Sequence, residues 1–206
     1  MKKTLYLVML LVAALLTAAC GASTAANTGT DAAPKETAAA QKEGAGRILV
    51  AYFSGTGNTS VLAHHAANVL GADIFEIRPV VTYTSDDLSY VNPASRATKE
   101  QNDASVRPEI AARIENFADY DTIVLAFPIW WGQEPRIIDT FVESYDFSGK
   151  TVAPICTSGS SDIDAAAAAI AINATGAVDW KDGRRFTSST PPEELADWFK
   201  EIGLMK

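Results

Sequence analysis

The chain has 206 residues, with 17 basic side chains against 25 acidic ones and a formal charge of −8. Such an excess of acid lacks the basic footprint that a phosphodiester backbone requires, which excludes nucleic acid as a partner. Two cysteines provide no disulfide framework, so the folded part must be held by its apolar core.

Residues 1–19 read as a targeting segment rather than part of the fold. Lys2 and Lys3 supply its positive end. The apolar run 5–16 is too short for the roughly 20 residues that cross a bilayer as a helix. It ends in Leu16-Thr17-Ala18-Ala19-Cys20, which resembles a bacterial lipobox, with Thr17 where Leu, Val or Ile is more usual. The resemblance implies that Cys20 is lipidated and anchors the protein outside the cytoplasm on a bacterial membrane. A plain secretory signal is the alternative. Loss of this segment removes two lysines and no acid, leaving 15 basic side chains, 25 acidic ones and a charge of −10. Residues 20–46 contain no apolar side chain larger than alanine, apart from Cys20 and one proline, and read as a flexible tether. Residues 47–206 have the size of one domain.

That domain opens with an apolar run, 48–53, of the length and composition of a buried strand. It passes through Ser54-Gly55-Thr56-Gly57-Asn58-Thr59 into a helical pattern with Val61, Leu62, Ala66, Val69 and Leu70 on one stripe. A strand turning tightly into a helix gathers free N–H groups and the positive end of the helix dipole at one point, which suits an anion. The motifs G-x-x-x-x-G-K-S/T and G-x-G-x-x-G are both missing there, which argues against a nucleoside triphosphatase. Residues 73–77 alternate as a second strand before Pro79. Residues 79–106 lack a sustained period, apart from a helical turn or two at 94–102; a coil this long in a compact domain is usually functional or mobile. A helix is predicted over 108–117, with Pro108 in its first turn and Ile110, Ile114 and Phe117 inward. Residues 122–127 are the most apolar strand and must be central.

A helix at 135–141, a buried strand at 151–156 and an alanine-rich helix at 162–172 follow. Residues 177–180 form a weak strand, continued at 184–186 after the Asp182-Gly183 turn. The helix 191–202 places Leu195, Trp198, Phe199 and Ile202 on one side. Short apolar strands alternating with amphipathic helices argue an α/β, doubly wound, three-layer sandwich.

Three loops carry the chemistry. The first, Ser54 to Thr59, resembles the S/T-x-T-G-N-T loop with which flavodoxins wrap the phosphate of FMN. The second, Phe127-Pro128-Ile129-Trp130-Trp131-Gly132, resembles the P-I-W-W-G segment of a flavodoxin-like subgroup. Two adjacent tryptophans beside a proline are hard to place together in a core, and an indole face suits a planar isoalloxazine. The resemblance puts Trp130 on the flavin and wedges Trp131 beneath the loop. The third, Thr157-Ser158-Gly159-Ser160, is similar to the T-S-G after strand four, whose small residues approach the ring edge. It lacks the tyrosine that many flavodoxins place there, and Tyr83 in the long insertion is the substitute that the resemblance suggests. Arg96, Glu100 and Arg107-Pro108 match charged positions of the same subgroup, with structural or lid roles expected.

The resemblance spans residues 47–206 and implies a five-stranded parallel sheet in the order 2-1-3-4-5. It also implies non-covalently bound FMN and electron transfer with a redox protein or a small donor or acceptor. An NAD(P)H-dependent quinone or flavin reductase is the alternative enzyme, and a non-redox binding module the alternative outside enzymes. No metal ligand set is visible: His64 and His65 are neighbours on one helix without an i+4 partner. Cys156, at the end of its strand, reads as a small buried hydrophobe.

Overall fold

The computed structural model describes residues 46–176 and 178–206; the expected targeting segment, Cys20 and all but Gly46 of the expected tether lie outside the described residues. The strands are β1 (Arg47–Tyr52), β2 (Asp73–Glu76), β3 (Tyr120–Pro128), β4 (Thr151–Thr157), β5 (Asp179–Trp180) and β6 (Arg184–Phe186). The helices are α1 (Asn58–Leu70), α2 (Arg96–Gln101), α3 (Arg136–Glu143), α4 (Asp164–Asn173) and α5 (Pro192–Glu201). All strand pairs are parallel and the sheet runs β2-β1-β3-β4-β5, the order that the family resemblance implies. The fifth position is shared: β5 pairs with the start of β4 and β6 with its end. Between them residues 181–183 stand opposite only Ala153 and Pro154. A proline has no N–H to give a ladder, so the pairing breaks there.

A strand buried on both faces reads as an unbroken apolar run, and the pleat sorts its residues to opposite sides. Leu49, Ala51 and Phe53 join Ile123, Leu125 and Phe127 in one core with Ile137, Ile138 and Phe141 of α3 and Ile170 of α4. Val50, Tyr52, Val124 and Ala126 join the opposite core with Leu62 and Ala66 of α1 and Trp198 and Phe199 of α5. Three layers result. Among the described residues no helix is long and apolar enough to cross a membrane.

The helix expected over 108–117 does not form. Ile110 instead makes an antiparallel bridge to Pro79, with Val80 N–H donating to Glu109 O and Ala111 N–H to Arg78 O. Ile114 N–H donates to the Tyr145 hydroxyl. Those donors are spent across the chain rather than within a helix, and only the 3₁₀ turn Phe117–Asp119 remains. The apolar spacing of Ile110, Ile114 and Phe117 mimics a helical stripe, yet the first two reach the core from an extended segment and Phe117 from the 3₁₀ turn. The short helix expected near 94–102 is present as α2, capped by the Ser95 hydroxyl accepting from Thr98 N–H.

Phe141 is fully buried between the rings of Phe117, Tyr145 and Phe147, at centroid distances of 6.2, 5.1 and 6.3 Å. Truncating such a ring costs its transfer energy plus that of a cavity, so Phe141→Ala should lose about 3–5 kcal/mol of stability in urea denaturation. A loss below about 1 kcal/mol would mean that this aromatic cluster does not hold the α3 layer.

Candidate functional site

The three loops singled out in the sequence meet at one edge of the sheet because β1, β3 and β4 are adjacent and parallel. Short contacts tie them together. The Thr59 and Thr157 hydroxyls are buried and 2.7 Å apart, joining the first turn of α1 to the end of β4. Ile129 N–H donates to Thr157 O at 3.0 Å, joining the β3 loop to the β4 loop. A side chain on Gly55 would meet the Trp130 ring at 3.2 Å and Leu88 at 3.4 Å, so the first loop passes close under the second and a larger residue there would push on both.

In the first loop, the Ser54 hydroxyl accepts from Gly57 N–H at 3.1 Å, and Asn58 Nδ2 donates to Thr56 Oγ1 at 3.3 Å. Gly57 has φ of +90°, the left-handed conformation that turns the chain into α1. Thr56, Gly57 and Asn58 are exposed. No side chain caps the start of α1, and its first turn contains no acid. The N-terminus of a 13-residue helix is thus presented to solvent with its dipole uncompensated.

The second loop is a tight hairpin. Trp130 N–H donates to Gln133 O at 2.8 Å and Gln133 N–H returns to Trp130 O at 3.0 Å. Its two central residues, Trp131 and Gly132, both have positive φ, +50° and +80°. This is the pattern of a type I′ turn, which favours Asn-Gly and penalises a bulky first residue. A non-glycine residue held there costs on the order of 1–3 kcal/mol. Tyr90 supplies the compensation: its ring stacks on Trp131 at 4.0 Å and 3°, and its hydroxyl accepts from Trp131 N–H at 2.7 Å.

The burial of the two indoles is the reverse of that expected. Trp130, only 8 % exposed, is the wedged residue, edge-on to Phe53 and Tyr83 with both centroids at 5.4 Å. Trp131 is half-exposed at the crest of the turn. A type I′ turn points its first central residue outward, and this geometry is invisible in the letters W-W-G. Pro128 and Ile129 are half-buried and lead into the hairpin. Tyr83 is also placed differently from a ring cover. It is buried, its hydroxyl donates to Glu100 at 2.5 Å, and the Arg96 guanidinium lies 4.0 Å over its ring. Burial and the bond to Glu100 hold the Tyr83 phenol well above its usual range. Arg96 and Glu100, paired at 2.6 Å, thus pin the insertion.

In the third loop, Thr157 is buried in the cross-link to Thr59, whereas Gly159 and Ser160 are exposed and Ser158 is half-exposed. Ser160 N–H donates to the Ser158 hydroxyl. Sequence reasoning gave no site role to Tyr90, Leu88 or Gln101. Tyr90 and Leu88 sit in an aperiodic insertion, and Gln101 acts through backbone carbonyls 29 and 33 residues away. Among the described residues no cluster of three or more His, Cys, Asp or Glu could hold a metal. His64 and His65 bond to the carbonyls of Ser60 and Thr190.

The uncapped start of α1 and the hairpin with the half-exposed Trp131 both lie at the edge where the sheet order reverses, and the strand order defines a doubly wound α/β protein. Residues 47–202 match the family model described as flavodoxin. The chain belongs to the flavodoxin family. A candidate flavoprotein from Bacteroides eggerthii DSM 20697 is 40% identical, covering 76% of this chain and 97% of its own, with a TM-score of 0.72. One from Bacteroides uniformis ATCC 8492 is 42% identical over 76% and 99%, also at 0.72. A flavoprotein from Lactobacillus acidophilus NCFM, solved in complex with FMN, shares the fold at 20% identity over 76% and 99%, with a TM-score of 0.59. No curated protein matches the chain in sequence.

Cys156 lies fully buried at the end of β4, and burial pushes its thiol up to about 12. Little thiolate exists at neutral pH, so the thiol is inert. In a Cys20→Ser protein, iodoacetamide should modify Cys156 only after unfolding. Rapid native labelling would show that the β4 end opens.

Proposed function

We propose that residues 47–206 bind FMN without a covalent bond and serve as an electron carrier held at a membrane by Cys20. The observation that carries the reading is the start of α1, free of side-chain caps and acids, at the same sheet edge as the hairpin that presents the half-exposed Trp131. Ser54, Gly55, Thr56, Gly57, Asn58 and Thr59 would hold the phosphate through backbone N–H groups and hydroxyls. Trp131, backed by Tyr90, would face the isoalloxazine, and Ser158, Gly159 and Ser160 would receive its polar edge. Bound FMN supplies one- and two-electron chemistry; the chain positions it and sets its potential. Trp131 excludes water and the acidic surface adds negative charge, and both disfavour a reduced, anionic ring.

A reductase that takes hydride from NAD(P)H for a quinone or similar acceptor is the second reading, favoured by one observation. The exposed Ser158–Ser160 segment contains no aromatic side chain, which leaves room for a nicotinamide on that side. The chain has no G-x-G-x-x-G unit for a dinucleotide, which favours the carrier.

Thr56→Leu should weaken FMN but not riboflavin, because this loop meets only the phosphate. A hydrogen bond to a charged group is worth about 1.5–3 kcal/mol, so the FMN dissociation constant should rise about tenfold or more in fluorescence titration. Equal losses for both ligands would move the phosphate elsewhere. Trp131→Asn relieves the left-handed turn, so it should stabilise the protein while raising the flavin potential through entry of water. A more stable variant with an unchanged potential would remove Trp131 from the ring. The carrier reading expects slow NADH and NADPH oxidation; turnover on the order of tens per second would make the protein a reductase.

The anchor has its own test. Mass spectrometry of the mature amino terminus should find a lipidated Cys20, and Cys20→Ser should release the protein from membranes. An unmodified Cys20 in freely soluble native protein would rule the anchor out.

A further inference from the structure

Behind the Trp130–Gln133 hairpin lies a buried polar network that the phosphate and ring contacts leave unused. Gln101, Glu134, Arg136 and Asp139 are 8, 1, 6 and 1 % exposed. Gln101 Nε2 donates to Trp130 O at 3.1 Å and to Glu134 O at 3.0 Å, closing the base of the hairpin. Arg136 gathers the rest. Its Nη1 lies 3.2 Å from Glu134 Oε1 and 3.4 Å from Asp139 Oδ2, and its Nη2 donates to Gln101 O and Gln133 Oε1. Asn173 Nδ2 donates to Asp139 Oδ1 at 2.9 Å.

Two features of this network stand out. Charge does not balance within it: Glu134 and Asp139 are two carboxyls around one buried guanidinium. Arg107 approaches Asp139 only to 4.0 Å and is committed to Glu143 at 2.7 Å. Hydrogen bonding does not balance either, because Glu134 Oε2 and Gln101 Oε1 are buried acceptors without a donor and Arg136 Nε is a buried donor without an acceptor. One proton on Glu134 settles the charge deficit and one of the three unsatisfied atoms. It removes the excess charge and turns Oε2 into a donor, with Asp139 as its hydrogen-bonding neighbour. A cavity of about 530 Å³, lined by Gln101, Arg107, Glu134, Asp139 and Asn173, reaches this network from solvent and gives the proton a path.

We propose that Glu134 is a protonation-dependent positioning residue for Trp131: the hairpin holds its stacked geometry while Glu134 carries a proton, and loosens when Glu134 ionises beside Asp139. Its consequence for flavin affinity rests on Trp131 facing the ring. The charged groups that act on Glu134 are Arg136 and Asp139 from α3 and Arg107 from the segment after α2; Glu143 is paired with Arg107, and Asp103 faces Arg136. The α2 pair Arg96 and Glu100 is engaged with Tyr83, and α4 brings only Asn173, alanines and Ile172 to the cavity. Burial first, and Asp139 in addition, push the Glu134 carboxyl up to about 7. That value lies above the 4.5 of an ordinary glutamate, so unfolding releases its proton. Its contribution to stability is therefore fully present below about 4.5 and is lost as pH rises through about 7.

The test uses the flavin-free protein first. The Glu134 carboxyl carbon and the Trp131 indole N–H, followed by NMR from pH 5 to 9, should titrate together near neutrality. In Glu134→Gln, which imitates the protonated form, the Trp131 signal should be independent of pH. Should that variant fold poorly, Asp139→Asn should move the shared midpoint to lower pH by removing the like charge. The second readout is riboflavin, which has no phosphate to titrate. Its dissociation constant should rise by about tenfold between pH 6 and 8 in the native protein, the change equivalent to one pKa unit, and stay level in Glu134→Gln. A Trp131 signal independent of pH in the native protein, or a titration that persists in Glu134→Gln, overturns the proposal. Absence of flavin binding at every pH overturns the FMN reading instead and leaves the NMR result to decide the role of Glu134.

Discussion

Parallel pairing sends the carboxyl ends of β1, β3 and β4 to the same edge, and each end must turn back over a buried face. The turns after these strands are therefore crowded against one another, and their residue types follow from that crowding. A Cβ on Gly55 would press on the Trp130 ring at 3.2 Å. Thr59 and Thr157 satisfy each other where water is excluded. Buried hydroxyls without partners would cost about 1–3 kcal/mol each, so this pair also fixes the distance between the first and third loops. Everything proposed for ligand binding depends on that spacing.

The hairpin after β3 shows how the site is held against local preference. Its letters contradict its geometry, since a tryptophan occupies a left-handed position that suits asparagine or glycine. Tyr90 restrains Trp131 from outside through stacking and a hydrogen bond. Gln101 restrains the base of the turn from within, through two carbonyls. Both partners come from the segment 79–106. The insertion is thus the brace of the aromatic loop, and its own rigidity comes from the Tyr83–Glu100–Arg96 contacts. Strain of this kind persists only where surrounding contacts over-determine the backbone.

The network of Gln101, Glu134, Arg136 and Asp139 couples the brace to charge. A buried carboxyl pair around one guanidinium is poorly compensated when both acids ionise. The same residues that close the hairpin's base are those whose balance changes with one proton.

Composition and periodicity alone determined the α/β class, the two-faced burial of the strands and the amphipathic helices, because these depend on spacing that repeats every two or 3.6 residues. The strand order and the gathering of three loops at one edge came from family motifs lying at strand ends. Neither source could distinguish a helix from an extended segment at 108–117, where Ile110, Ile114 and Phe117 bury themselves equally well either way. Nor could they assign the two indoles, find Tyr90 as the partner of Trp131, or bring Gln101 under the hairpin. Those outcomes depend on contacts between residues 29 to 41 positions apart, and on the sign of one backbone angle. Only the assembled tertiary structure decides them, because a side chain's place is set by which neighbours close around it.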